Sequence, residues 1–334
     1  MTTKPLPLLH ARDLPTTGDE LWSATSAVNA LVAELDASPS ATDSVRRLRQ
    51  VLTPDHYDTA GPHETPSLEE AFSEHDTFFG VARAHGPADL FLRALLVAEI
   101  DTALDLARTA SSLSPAERSA LVGAGSALLS RRRAHHRGTG LVRPPEGLVA
   151  PPADEHTAQL RWTSGHRLFF AHLQAITVTC GCAVNARTAA EQAAYLDYTV
   201  LFCTSAALAM RHAADFAPEL YVRSIRPTMT PPHVGSGFSG LQTRDHHYLV
   251  QSLDSLGTRL LPAVAGGVTY RKFEDALERL YAAHVHVCRR FGGDTNVSLR
   301  MEASKEDSGT TGAERARQYA GLRIRKLGGR RSAA

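Results

Sequence analysis

From about residue 17 to residue 291, apolar positions recur mostly at steps of three and four, and strict apolar–polar alternation is scarce. Steps of three or four keep side chains on one face of a 3.6-residue helix, so the pattern predicts an all-α protein. Thr17 or Asp19 can cap a helix running to about Leu35. Ser67 followed by Glu70 has capping-box spacing and predicts a helix through Phe72, His75, Phe79 and Ala82. Gly86-Pro87 breaks the chain, and Pro87 suits the first turn of a helix through Phe91, Leu95 and Ile100. Ser114-Pro115 starts another helix, which ends in a basic run at 131–137 read as a solvated helix end. Residues 138–154 are rich in Gly and Pro and predict a linker. One long helical stretch follows, from about 155 to 210, with Trp162, Phe169, Leu173 and Ile176 on one stripe. Residues 226–240, RPTMTPPHVGSGFSG, lack periodicity but are too apolar for a linker, which predicts an ordered loop against a site. Helices resume at 241–256 and 270–291, and a polar loop at 304–312 precedes a basic tail. The expected division is an N-terminal helical extension, 1–65, and a main domain, 66–330.

The 334 residues are 43% hydrophobic and 21% charged, as in ordinary globular chains, with a formal net charge of +1. That balance supplies no field to recruit nucleic acid or a membrane surface. No stretch reads as a signal peptide or a bilayer span, and four cysteines form no disulfide framework, so a cytoplasmic protein is expected. Sixteen histidines leave room for a metal or haem site.

The helix at 271–291 carries Phe273, Leu277, Tyr281, His284, Cys288 and Phe291 at steps of three or four. A step of four turns a helix by roughly 400° and advances roughly 6 Å, so His284 and Cys288 share a face one turn apart. Three readings stay open on these residues alone. A lone inward histidine is usually a hydrogen-bonded core residue, and a cysteine one turn on is ordinary packing. HxxxC could supply two zinc ligands, but Cys180-Gly-Cys182 offers no convincing second pair. Haem is the third, although the CxxCH attachment sequence is absent. Two further histidines fall on apolar stripes: His246, with Leu249, Leu253 and Leu256, and His75, between Phe72 and Phe79.

The segment IRPTMTPPHVGSGFSGLQTRDHHYL at 225–249, together with His284-Val-His-Val-Cys288, resembles the haem-dependent 3-methyl-L-tyrosine hydroxylases of saframycin biosynthesis. Segments 80–87 (GVARAHGP) and 161–165 (RWTSG) match that family too, so the likeness spans roughly residues 74–300. The resemblance implies a haem attached through one thioether bond at Cys288, with His284 and His246 as axial ligands. The same stretch is similar to the wider tryptophan 2,3-dioxygenase-like superfamily. Its R-x-x-L-S-P…G-F-Q-S-x-Q-x-R run is echoed from Arg226 to Arg244, its early His-Asp pair by His75-Asp76, and its GTGG loop by Gly309-Thr310-Thr311-Gly312. That likeness implies a helical bundle around a haem, with His75 on the distal side and Arg226 binding a substrate carboxylate. The hydroxylases, as aligned, lack a histidine at the position of His75, which leaves His246 and His75 as alternative distal ligands.

The implied function is meta-hydroxylation of L-tyrosine or 3-methyl-L-tyrosine to a catechol in natural-product biosynthesis. Hydrogen peroxide is the expected oxidant, oxygen the alternative, and a homodimer is the expected assembly. Phe78, Phe79 and Phe238 are candidates to stack on the substrate ring. The competing readings are an indole dioxygenase and a non-enzymatic bis-histidine haem protein.

Overall fold

The computed structural model describes residues 4–33, 41–54, 56–59, 66–131, 154–238 and 243–292, with residues 314, 317–318 and 321–322 beyond them. Two short strands, β1 (Leu6–Leu9) and β2 (Val81–Ala84), accompany a set of helices. In chain order these are α1 (Gly18–Ala33), α2 (Ala41–Leu52), α3 (Pro66–Phe79), α4 (Asp89–Arg108), α5 (Pro115–Leu121) and α6 (Ala124–Leu129). They continue as α7 (Glu155–Val184), α8 (Ala189–Ala213), α9 (Pro218–Leu220), α10 (Arg244–Arg259) and α11 (Val268–Gly292). The architecture is an all-α bundle with one small ribbon.

The centre is the pair α7 and α8. Trp162, Phe169, Phe170, Leu173, Ile176 and Cys180 are all buried along α7, because α4, α8 and α10 cover it from different sides. Helix α11 packs on α8. A helix apolar on every side is an interior helix. Both helices are in fact long and apolar enough to cross a bilayer, which the sequence reading missed. Yet 78% and 67% of their most apolar windows are buried inside the protein, so their hydrophobicity is spent on the core. Their close approach depends on Gly165, where a Cβ would lie 2.6 Å from the Ala213 Cβ.

The stretch expected as one helix from 155 to 210 turns back at Asn185. Thr188 caps α8 by accepting from the Glu191 N–H at 3.1 Å, and Glu191 in turn accepts from the Arg187 N–H at 2.9 Å. This Thr-x-x-Glu signal is present in the sequence, but unbroken apolar periodicity on both sides hides it.

Local signals set the other boundaries. Ser114 and Glu117 form the capping box that starts α5, as predicted, although Gly123 then interrupts the helix before α6. Helix α3 begins at Pro66, so Ser67 lies inside its first turn rather than at its cap. It stops at Phe79, and residue 82, expected in the helix, belongs to β2. There β1 pairs in parallel, with Leu6 opposite Val81 and Leu9 opposite Ala84. A run as short as PLPLL shows no alternation, so this ribbon was not predicted. Leu6, Leu8, Leu9, Leu21 and Val28 join the same hydrophobic core as α4 and α7. Most of the linker (138–153), the basic run beyond Arg131, the loop at 304–312 and most of the tail lie outside the described residues.

Candidate active site

On α11, Phe273, Leu277, Leu280 and Phe291 face the core, and His284 falls within their stripe by spacing. The stripe opens at that point. Phe273 and Leu277 are fully enclosed, whereas the His284 imidazole is half-buried and takes no hydrogen bond from any described residue. Crowding by the surrounding protein lowers its pKa to about 4, so the ring is neutral at neutral pH and carries a lone pair. Cys288, one turn on, is also half-buried and packs with Val285 apart from the main core. Burial lifts its thiol to about 11.

A further imidazole, which sequence reasoning missed, approaches from α7. His166 is buried, and its Nδ1 lies 2.7 Å from the Trp162 carbonyl oxygen. A carbonyl can only accept, so the proton belongs on Nδ1 and the lone pair on Nε2. Burial first, and the nearby His284 second, lower its pKa to about 4. Trp162 and His166 are one helical turn apart on a stripe legible in the sequence, so the signal was available.

Aromatic rings lead outward from His166. It stacks on Phe79 at 4.6 Å; Phe79 meets Phe78 at 4.9 Å and Phe238 at 6.1 Å. Phe238 lies flat on His75, with centroids 4.0 Å apart and planes 6° from parallel. The four residues His75, Phe78, Phe79 and Phe238, drawn from an early helix and a loop some 160 positions later (Glu74 to Gly235 span 161), therefore converge. The loop is fastened to α3 where the Gly235 N–H donates to Glu74 at 2.5 Å. Through Phe238 it is ordered against this cluster, as its composition predicted; residues 239–240 lie outside the described set.

His246 is buried in the first turn of α10, and its Nε2 is 3.5 Å from the Tyr281 hydroxyl. Tyr281 precedes His284 by three residues, so His246 of α10 touches the turn of α11 that leads to His284. Arg226 opens the tight turn Arg226–Met229 and is half-buried. It follows the π-turn Tyr221–Ile225, whose Tyr221 stacks on Phe291 at 4.2 Å. Arg226 is thus placed by the Trp162–Tyr221–Phe291 group at the far end of α11. The GTTG segment at 309–312 lies outside the described residues.

Among the described residues, no three His, Cys, Asp or Glu side chains converge as a metal site. Cys180, Cys182 and Cys203 are buried thiols, Cys180 pushed up to about 12 by burial, which does not suit a thiolate ligand. A haem asks for something different: a neutral nitrogen for the iron and apolar walls for the ring. An open, neutral imidazole in a buried stripe, with a thiol one turn away and aromatic rings nearby, fits that demand.

A family model described as SfmD 3-methyl-L-tyrosine peroxygenase matches residues 7–279, from β1 into α11 but short of His284. The 3-methyl-L-tyrosine peroxygenase of Streptomyces lavendulae is 30% identical over 318 residues, covering 90% of this chain and 85% of that relative. The crystal structure of reduced SfmD, obtained by soaking with sodium hydrosulfite, aligns with a TM-score of 0.67 and 28% identity. That alignment covers 86% of this chain and 98% of the other.

Proposed function

The chain belongs to the 3-methyl-L-tyrosine peroxygenase family and is an oxidoreductase, and we propose that it hydroxylates a tyrosine ring to a catechol. The substrate is 3-methyl-L-tyrosine or L-tyrosine, and the oxidant is hydrogen peroxide. The stoichiometry then closes without a reductant: one aromatic C–H and one peroxide become one C–OH and one water.

The reading is carried by one observation, the meeting of His75, Phe78, Phe79 and Phe238, with Phe79 stacked on His166, the imidazole that senses His284 of α11. In this reading His284 holds a haem, which supplies the oxidising chemistry when bound. His246, or His75 in its place, would be the second residue to hold it. Cys288 would hold the haem edge through a thioether, its S–H adding across a vinyl group with sulfur on one carbon and hydrogen on the other, so that attachment would consume no oxidant. Phe78, Phe79 and Phe238 offer faces against which a phenol ring stacks while excluding water. His75 would take a proton from the peroxide or from the substrate phenol, since an imidazole nitrogen can accept one. Arg226 holds the amino acid carboxylate through two parallel hydrogen bonds, which selects the ring carbon presented to the oxidant. The homodimer expected from the superfamily likeness belongs to the same proposal and is checked by light scattering.

The test uses the purified protein as it is expressed. Intact mass of the denatured wild type should show a haem adduct that is lost in Cys288→Ala, and peroxide with either tyrosine should give a catechol by mass spectrometry. Arg226→Ala should reduce this turnover far more than oxidation of a generic peroxidase dye; equal losses would make Arg226 structural. A colourless protein would sink the proposal, and opening of tryptophan to N-formylkynurenine in place of catechol formation would replace it with a dioxygenase.

A further inference from the structure

Arg83 stands on β2 opposite Leu8 of β1, with a side chain 7% exposed. Its guanidinium lies between two carboxylates. Nε and Nη2 donate to Asp76 at 2.9 and 2.5 Å, while Nη1 and Nη2 donate to Asp245 at 2.9 and 2.8 Å. Both edges of the planar fork are therefore engaged in bidentate pairs. Burial alone would disfavour the charge, but Asp245 and Asp76 more than offset it and raise the Arg83 pKa above its ordinary value. Gln174 of α7 donates to the same Asp245 at 3.0 Å and to the Leu9 carbonyl at 2.7 Å. Arg244 closes the group, 2.7 Å from Glu69 and 3.6 Å from Asp76. One buried joint thus ties α3, α7, α10 and both strands.

Each carboxylate adjoins a histidine in the chain: Asp76 follows His75, and Asp245 precedes His246. We propose that Arg83 is a positioning residue of the active site: by gripping Asp76 and Asp245 on its two edges, it sets the separation of α3 and α10 and hence of His75 and His246. This rests on the reading that these two histidines border a haem. Lysine keeps the charge but has no planar fork, so it cannot hold two carboxylates edge-on. In Arg83→Lys the joint survives electrostatically while the spacing it imposes relaxes.

The experiment compares ferric absorption and electron paramagnetic resonance spectra of purified wild type, Arg83→Lys and Arg49→Lys. Arg49 makes a similar bidentate pair with Asp101, at 2.5 and 3.0 Å between α2 and α4, and adjoins no histidine of the site. We expect the ratio of low-spin to high-spin iron to fall about tenfold in Arg83→Lys, as losing charge-assisted hydrogen bonds would allow, and to stay unchanged in Arg49→Lys. A loss of folding alone would not produce a spin-state change in protein that keeps its helical circular dichroism. A haem-bearing wild type whose spectrum survives in folded Arg83→Lys overturns the positioning role and leaves the haem reading standing. A wild type without haem overturns both. If Arg83→Lys does not fold, Asp245→Asn, which keeps the side-chain volume, carries the same spectral test. A folded Asp245→Asn with the wild-type spectrum, or one that also fails to fold, assigns the joint to stability and overturns the proposal.

Discussion

Arg161 and Arg83 both have side chains withdrawn from solvent, and their surroundings separate structural from positioning roles. Arg161 of α7 is wholly enclosed and donates to Asp105 at 2.9 Å, while its other donors end on the segments that follow two helices: the Ala110 and Asp215 carbonyls (2.7 and 3.0 Å), and the hydroxyl and carbonyl of Thr109. It therefore ties down the connections after α4 and α8, helped by the Ser112 N–H on Asp215 at 2.7 Å. Arg83, as described above, spends four donors on two carboxylates that adjoin His75 and His246. The residue type and the burial are alike. What differs is whether the acceptors lie mostly in the connections between helices or on helices that carry candidate site residues.

The largest effect is expected at Arg161. Arg161→Met leaves Asp105 and Asp215 buried without their cation, which costs about 3–5 kcal/mol. A urea titration should show this as a lower midpoint; a variant as stable as wild type would mean the cluster does not hold these connections. Arg83→Lys, by contrast, should move the haem spectrum more than the midpoint, and the reverse order would erase the distinction between the two clusters.

Glu99 sharpens the comparison because it is a buried acid with no cation beside it among the described residues. Burial raises its pKa from 4.5 to about 8, against the lowering effect of the Gly125 and Ala124 N–H groups. Between those values the folded protein holds a proton that the unfolded chain has lost, so its contribution to stability falls as pH rises and stops falling above about 8. The slope is at most about 1.4 kcal/mol per pH unit. Glu99→Gln should flatten the decline in melting temperature between about pH 5 and about pH 8; an unaltered slope would show that Glu99 is already ionised in the fold.

The smallest change is at the surface of the structural half. Ser114→Ala removes the α5 capping box and should cost about 1 kcal/mol while leaving any haem spectrum untouched. A spectral change there would mean that the α4–α5 connection communicates with the site.

Part of the site was legible because its signals are short-range. The single stripe of α11 put His284 and Cys288 on one face, and the composition of 226–240 marked a loop that packs on His75 through Phe238. The resemblance named His246 and Arg226 but could not say what surrounds them. His166 escaped notice because its value depends on Phe79 and His284, which come from two other helices. Arg83 carried no local signal at all: flanked by alanines in GVARAHGP, it reads as an ordinary exposed cation.

By itself the sequence determined the helical class and several of the helices, the Ser114 cap, and the face shared by His284 and Cys288, since periodicity and capping involve residues within a turn or two of one another. Only the tertiary structure decided that β1 pairs with β2, that the central helix folds back at Asn185, and that Arg83 bridges Asp76 and Asp245. The Arg83–Asp245 pair spans 162 residues, and the Gln174–Leu9 bond 165. A buried charge must find its partner wherever the finished core brings one, because leaving it unpaired away from water is so unfavourable, and no local window of sequence contains that choice.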